Sequence, residues 1–206
     1  MERPISAVTE LRRVINMNSR ERIIKAMNFE EPDRVPLMCQ FSLGFMLRQL
    51  KVSPAEFWFD GKTFLGGLIE LRNIFKFDGI LISLHGHSKE WKKDVSKITK
   101  EDKGEKVFWK NGDITFCPFN ELPIHYSKDE IIRKDINSID INSISEEIDF
   151  IPVSQGLNFK LYNDNLVSIF NEAFEKTNGE FSIHGEITSP FDYLLDIVGH
   201  QESLMA

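Results

Sequence analysis

The chain has 206 residues, 41% of them hydrophobic, and its 32 acidic residues outnumber 25 basic ones to give a net charge of −7. This length and composition suit one soluble domain with a substantial core. The acidic balance argues against general nucleic-acid binding, which depends on a basic surface, and we find no apolar stretch of membrane-spanning length.

The N-terminus and the cysteines favour a cytoplasmic location. Glu10, Arg12 and Arg13 carry charge where a signal peptide needs an apolar core. Cys39 and Cys117 have no closely spaced partner, which fits a reducing compartment and argues against a disulfide framework or a structural zinc site. We expect Cys39 to be a buried packing residue.

Residues 1–17 form a predicted leading arm or short helix, and the next stretch organises the rest of the chain. Asn18 can cap a helix, with Glu21 completing a capping box. The helix has an apolar face and a charged face. The apolar face comprises Ile23, Ile24 and Met27, and the solvent-facing side chains are Arg20, Glu21, Arg22 and Lys25. Pro32 ends the helix, and residues 34–39 form the first predicted strand.

A second helix is predicted from Ser53-Pro54, with proline in its first turn. The pair Gly66-Gly67 in its middle indicates a break or a close backbone approach. The apolar run Gly79–Ser83 is typical of a strand buried on both faces of a parallel sheet. His85 and His87 follow directly, where the carboxyl end of that strand would lie.

A β-hairpin is predicted next, as an insertion at about residues 104–118. Residues 107–110 and 113–116 flank Asn111-Gly112, a pair that suits a two-residue type I′ turn. Such an insertion is a lid, a partner-docking element or a cover for the edge of the core.

The end of the chain alternates helix, strand and helix. A helix capped by Asn163 or Asp164 stops at Asn178-Gly179, a strand covers residues 180–185, and a final helix begins at Ser189-Pro190. Strands alternating with helices predict a parallel α/β architecture.

Two motifs resemble the uroporphyrinogen decarboxylase superfamily, which includes porphyrinogen decarboxylases and corrinoid-dependent methyltransferases. Residues 20–36 are similar to its opening pattern, with R-E-R followed by N-F-E-x-P-D-R-V-P, and residues 185–191 are similar to its G-x-x-G-x-P-aromatic turn. The resemblance implies that residues 18–206 are the N-terminal portion of a (β/α)₈ TIM barrel with a β-hairpin insertion. A closed barrel needs roughly 250 residues, so we expect this chain to be truncated and to need a homodimer partner or a complementing barrel half.

Three residues are candidates for binding a small-molecule substrate: His85, His87 and Glu186. The two histidines could share a metal only with a third ligand, and we assign none within this chain. Glu186 follows the third predicted strand and could bind a substrate cation or act as a base. Its alternative role, which we also expect for Asp192, is a favourable charge near the N-terminus of the last helix. No catalytic residue is assigned.

The resemblance also implies two reactions. The decarboxylases of tetrapyrrole biosynthesis carry an arginine-rich run that binds substrate carboxylates, whereas residues 38–44 contain no arginine, and His85 replaces a substrate-binding aspartate. These departures favour methyl transfer with a corrinoid protein over decarboxylation. For the full-length parent, the resemblance implies a corrinoid on the partner and a zinc ion whose ligands lie beyond residue 206. A third expectation is that this chain alone is an inactive fragment or one subunit of a split barrel.

Overall fold

The computed structural model describes residues 17–83, 90–129, 133–140, 142, 150–154, 157–160, 168–186 and 188–205. Within this part of the chain the fold is mixed α/β, and the strands form three separate sheets without closing into a barrel. None of the helices in these ranges is both long and apolar enough to cross a membrane. The predicted leading segment lies almost wholly outside the described residues.

The helices are α1 (Ser19–Met27), α2 (Leu43–Leu50), α3 (Pro54–Phe59), α4 (Gly61–Phe75), α5 (Ser168–Thr177), α6 (Pro190–Val198) and α7 (His200–Met205). The strands are β1 (Gly79–Ser83), β2 (Val95–Glu101), β3 (Gly104–Trp109), β4 (Ile114–Pro118), β5 (Ile124–Tyr126), β6 (Phe150–Ser154), β7 (Leu157–Lys160) and β8 (Ser182–Glu186). Short 3₁₀ helices lie at Trp91–Asp94 and Ile136–Ser138.

The predicted capping box at the start of α1 is confirmed. Oδ1 of Asn18 accepts a hydrogen bond from the Glu21 N–H at 2.8 Å, and Oε2 of Glu21 accepts one from the Asn18 N–H at 3.1 Å. The predicted faces are only partly right, because Ile23 is buried whereas Ile24 and Met27 are exposed. Placing Arg22 on the solvent face was wrong: it is 5% exposed, since carboxylates from elsewhere in the fold surround it.

The first predicted strand, residues 34–39, is not a strand. The segment is linked to the start of β1 through Leu37, whose carbonyl oxygen accepts a hydrogen bond from the Asp78 N–H at 2.8 Å. The Leu37 N–H donates instead to the Asp78 side chain at 2.7 Å. A side chain thus takes a position that a ladder of backbone hydrogen bonds would need.

The two glycines of the second predicted helix behave differently. The helix does begin at Ser53-Pro54, but it ends before Asp60, which caps α4 by accepting from two backbone N–H groups. α4 then runs unbroken through Gly66 and Gly67. A Cβ on Gly67 would lie 2.6 Å from Cδ1 of Leu50, whereas one on Gly66 would meet open space. The close approach is therefore confirmed at Gly67, and the break is not found there.

The predicted strands at 79–83 and 180–185 pair in parallel, as β1 and β8, in the register Gly79 with Ser182 through Ser83 with Glu186. Alternate side chains point to opposite faces. Ile80 and Ile82 are buried on the helix-covered face, and on that face a Cβ on Gly185 would touch the ring of Phe170 in α5. The core beneath this pair is largely aromatic and aliphatic. It includes Phe57, Phe59, Leu65, Leu71, Ala173 and Phe181.

The predicted hairpin is present as β3 and β4, within a four-stranded antiparallel sheet of order β2-β3-β4-β5. The predicted type I′ turn was wrong. The Gly112 N–H donates to the Trp109 carbonyl oxygen, and the Trp109 N–H donates to that of Asp113, which makes a three-residue loop. Gly112 has a φ of 99°, but Asn111 is not among the residues with positive φ, so only one of the two left-handed positions of a type I′ turn occurs.

The last predicted helices are also present. α5 ends at Thr177, and its predicted caps, Asn163 and Asp164, fall outside the described residues. α6 begins at Pro190 after a Ser189 cap and ends where Gly199 adopts a φ of 90°. The antiparallel pair of β6 and β7, and the helix α7, were not predicted from sequence.

Candidate functional site

The N-terminal end of β1 carries a buried ion network centred on Asp78, which is fully buried. Arg22 donates to Asp78 at 2.5 Å, and Arg34 donates to both of its carboxylate oxygens at 2.7 and 2.8 Å. Arg22 also binds Asp33 through two nitrogens, at 2.5 and 2.8 Å. Two-point pairing of this kind satisfies guanidinium and carboxylate together.

The network keeps its groups ionised. Hydrogen bonding to Arg22 lowers the pKa of Asp33 to about 2. Burial acts to raise the pKa of Asp78, but the hydrogen bonds from Arg34, the Leu37 N–H and Arg22 outweigh it and leave the pKa below its ordinary value. Burial alone would favour the neutral carboxyl. We therefore interpret these buried, closely paired charges as ion pairs that stabilise the fold.

The opposite, carboxyl end of the parallel pair carries the sequence-predicted Glu186. It is the last residue of β8, lies in register with Ser83 of β1, and is exposed. The side-chain amide of Gln40 donates to its Oε1 at 3.2 Å. The segment after α1 is thereby linked to the end of β8, although 146 residues separate the two in sequence.

His184 lies two residues before Glu186, so both side chains are on the same face of β8, opposite to Ile183 and Gly185. Its Nε2 is buried and has no hydrogen-bond partner among the described residues. A buried unpaired nitrogen is costly, and such exceptions often mark functional positions. His184 was not selected as a candidate from the sequence, because the residue was assigned to the interior of a strand. The alternation of side chains along that strand, which puts His184 on the same face as Glu186, was the available signal.

A cavity of about 1070 Å³ extends from the first residues of β1, Gly79 to Leu81, to Glu186 at the end of β8, and its size suits a small organic ligand. Its walls are mixed. The polar lining includes Cys39, Gln40, His125, Arg133, Glu186, Asp192, Asp196 and His200, and the apolar lining includes Phe41, Leu43, Met46 and Leu81. Of the polar side chains, Asp192 is also the helix-end charge that we expected, since its carboxylate accepts from the Ser189 N–H at 3.1 Å. The cavity thus joins the end of β8 to the first helix after it.

The two cysteines differ in chemistry. Cys39 lines the cavity and is exposed, so its expected role as a buried packing residue was wrong. Cys117 is buried in β4, and burial, with a smaller contribution from the charge of Glu105, raises the pKa of its thiol to about 12. A thiol with such a pKa is not a nucleophile near neutral pH.

A chain of hydrogen bonds on the antiparallel sheet resembles a catalytic triad in composition. Oγ1 of Thr115 lies 2.8 Å from Nδ1 of His125, whose Nε2 faces Asp113 at 3.4 Å. However, Thr115 is fully buried and its oxygen already accepts from Nε1 of Trp109 at 2.8 Å. A nucleophile must reach its substrate, so this chain of contacts ties strands together instead.

His85 and His87 lie outside the described residues, so the structure tests neither as a site residue. Among the residues that it does describe, there is no group of three or more histidine, cysteine, aspartate or glutamate side chains arranged to hold a metal ion.

Comparisons of the chain with known protein families, curated proteins and solved structures found no match.

Proposed function

We propose that the chain supplies the first part of a small-molecule site in a parallel α/β enzyme, a corrinoid-dependent methyltransferase of the uroporphyrinogen decarboxylase superfamily. One observation carries the proposal. Glu186 at the carboxyl end of β8 is hydrogen-bonded to Gln40, and both side chains line a cavity of about 1070 Å³. Enzymes with parallel α/β folds bind their ligands at this end of the sheet.

The charges at this end favour methyl transfer over decarboxylation. Three carboxylates, those of Glu186, Asp192 and Asp196, line the cavity against two guanidinium groups, those of Arg72 and Arg133. The lining is therefore slightly acidic, which disfavours a substrate with several carboxylates. The segment that meets Glu186 offers the neutral amide of Gln40, where a decarboxylase of this superfamily would be expected to have arginines. A neutral or cationic methyl acceptor or donor fits this lining better.

In this proposal the residues of the chain bind and orient the small substrate. Gln40 fixes the carboxylate of Glu186 through its amide, and that carboxylate holds a substrate cation or takes a proton. Nε2 of His184 supplies a polar contact on the same face. The corrinoid is carried by a partner protein, and the proposal places no zinc ion in this part of the chain.

The test is methyl transfer from free methylcobalamin to a small thiol, followed by the visible absorbance of the cobalt–methyl bond and by mass spectrometry of the methyl thioether. Activity that falls about tenfold or more in Glu186→Gln, as for loss of an oriented charged contact, would support the proposal. Glu70→Gln, on the exposed surface of α4, is the matched control. Equal activity in both variants would remove Glu186 from the site, and decarboxylation of uroporphyrinogen would replace the methyltransferase proposal.

The alternative function, an inactive half that needs a complement, is favoured by a separate observation. Among the described residues, β8 has a hydrogen-bonded strand neighbour on one side only, which leaves a parallel edge available. Sedimentation analysis tests it. A chain that is inactive as a monomer and gains activity on dimerisation, or with a second polypeptide, would establish this alternative.

A further inference from the structure

The antiparallel sheet has one packed face and one apolar face turned away from the cavity. Its inner face is buried against α3, where Glu105 accepts from Ser53 and from the Ala55 N–H, and where the ring of Trp109 packs on Phe59. The opposite side, called the outer face here, carries five large side chains on three adjacent strands. They are Phe108, Ile114, Phe116, Ile124 and Tyr126.

The outer face is contiguous in the strand register. Ile114 is paired with Phe108 on one side and Tyr126 on the other, and Phe116 is flanked by Ile124. The first four of the five side chains are partly exposed, and Tyr126 is 53% exposed. The solvent face of an antiparallel sheet is ordinarily polar, and contiguous exposed apolar surface marks interaction sites. This face therefore has the composition of a surface that another molecule covers.

Positive charge lies on the same face. Nζ of Lys97 lies 4.4 Å from the centre of the Phe108 ring, and Nζ of Lys106 lies 6.0 Å from that of Phe116. One carboxylate shares the face, Glu101 at its end, which pairs with Lys106 at 2.8 Å. An apolar surface with lysines above its rings is complementary to apolar side chains accompanied by carboxylates.

We propose that the outer face docks a partner protein through a segment that combines apolar side chains with aspartates or glutamates. A nucleic acid fits less well, because lysines already occupy the positions over two of the rings on which bases would stack. A second copy fits less well, because a twofold interface would enclose two lysines and only one carboxylate from each copy, which leaves an excess of positive charge. Docking along the edge of β2 is opposed by its exposed lysines and by the irregular register between Val95 and Lys97.

This proposal does not depend on the proposed function, because none of the five side chains lines the cavity. The probes for a test are two short synthetic peptides in which leucine and phenylalanine alternate with glutamate in one and with lysine in the other. Binding to the whole chain is measured by fluorescence anisotropy at low and high salt. Hydrogen–deuterium exchange then locates the segments that the peptide protects.

The expected result is binding of the glutamate peptide only, weakened by salt, with protection of β3, β4 and β5. The double change Lys97→Glu and Lys106→Glu should weaken that binding about tenfold or more and allow the lysine peptide to bind. Lys62→Glu, at an exposed position in the first turn of α4, is the remote control and should have no effect. Thermal unfolding confirms that each variant is folded.

Several results would overturn the proposal. These are failure of both peptides to bind, equal binding of both, protection confined to other segments, and an equal effect of Lys62→Glu. Tighter binding of a single-stranded oligonucleotide to the same face would assign the face to nucleic acid. Self-association of the chain that protects β3 to β5 would assign it to a second copy.

Discussion

The two ends of the parallel pair contain charged groups in opposite situations. At the N-terminal end, Asp78 receives hydrogen bonds from Arg22, Arg34 and the Leu37 N–H in the dry interior. At the carboxyl end, Glu186 is exposed and receives the Gln40 amide, while Nε2 of His184 has no partner among the described residues. The same two strands thus carry fully paired charges at one end, whereas at the other end Nε2 of His184 has no hydrogen-bond partner among the described residues.

This difference separates stability from binding. Groups that already satisfy one another gain nothing from a ligand, and removing one of them leaves a buried charge uncompensated. Groups that lack partners can be given them by a ligand. We therefore expect substitutions at the N-terminal end to change the free energy of unfolding, and substitutions at the carboxyl end to change binding.

The largest effect is expected at Asp78. Asp78→Ala leaves Arg22 buried with a single carboxylate partner and should lower the free energy of unfolding by about 3–5 kcal/mol. Asp78→Asn should cost less, because its amide oxygen still accepts hydrogen bonds. Urea denaturation measures both, with Glu186→Gln as the control at the other end, where we expect a change within about 0.5 kcal/mol. Equal losses at the two ends would contradict the comparison.

Lowering the pH should destabilise the fold mainly through the ion network at the N-terminal end of the strand pair. The pKa of Asp33 is about 2 in the folded protein, and that of Asp78 is also lowered. A carboxyl with a depressed folded pKa stabilises the fold fully above its unfolded value near 3.8, and this contribution is lost as the pH falls toward the folded value. The free energy of unfolding should therefore decrease from about pH 4 to pH 2.

Urea denaturation across this pH range tests the expectation. Asp33→Asn should make the decrease shallower, whereas Asn18→Ser, which keeps an N-cap side chain, should leave it unchanged. Some dependence of the free energy of unfolding on pH should remain in Asp33→Asn, because the pKa of Asp113 is also lowered. Burial acts to raise that pKa, but hydrogen bonds from the Lys128 N–H and Asn111 outweigh it. An unchanged slope in Asp33→Asn would show that the network does not govern acid stability.

Two glycines on the paired strands, one near each end, allow the tightness of packing at the two ends to be compared. A Cβ on Gly79 would lie 2.6 Å from Sδ of Met38 and 2.7 Å from the Ser182 carbonyl oxygen, which is fixed backbone. Gly79→Ala should therefore cost about 1–3 kcal/mol. A Cβ on Gly185 would lie 3.3 Å from the movable ring of Phe170, so Gly185→Ala should cost less than about 1 kcal/mol. Thermal unfolding of the two variants would show the ranking, and the reverse order would contradict it.

The smallest effect is expected at His184. Replacing it by leucine removes a buried nitrogen that has no hydrogen-bond partner in the described part of the chain, so the free energy of unfolding should stay the same or rise by up to about 1 kcal/mol. Methyl transfer, where present, should fall in the same variant. A variant that is both less stable and fully active would remove His184 from the site and make it a structural residue.

Features that depend on near neighbours in the chain were predictable. The capping box of Asn18, which joins residues three positions apart, was predicted, whereas the turn at Asn111-Gly112 was assigned the wrong type because only Gly112 has a positive φ. The burial of Arg22 was not predictable from helical periodicity, because it depends on Asp78, 56 positions away. The expected first strand failed for the same reason, since a side chain of Asp78 took the place of a backbone partner.

The candidate site likewise combines a feature that could be predicted from the sequence with features that could not. The pattern of a strand followed by a capped helix predicted the position of Glu186 at the end of a strand. Its role as a site residue stays a prediction. The contact with Gln40 joins residues 146 positions apart. The burial of Nε2 of His184 without a hydrogen-bond partner among the described residues is a property of tertiary packing. No local pattern encodes either feature.

The contrast between the two thiols has a practical consequence. Cys39 is exposed at the rim of the cavity, whereas Cys117 is buried with a pKa of about 12, and the chain has no other cysteine. A maleimide reagent at neutral pH should therefore attach to a single position of the folded wild-type protein. A fluorophore or spin label could report ligand entry there without any engineered substitution.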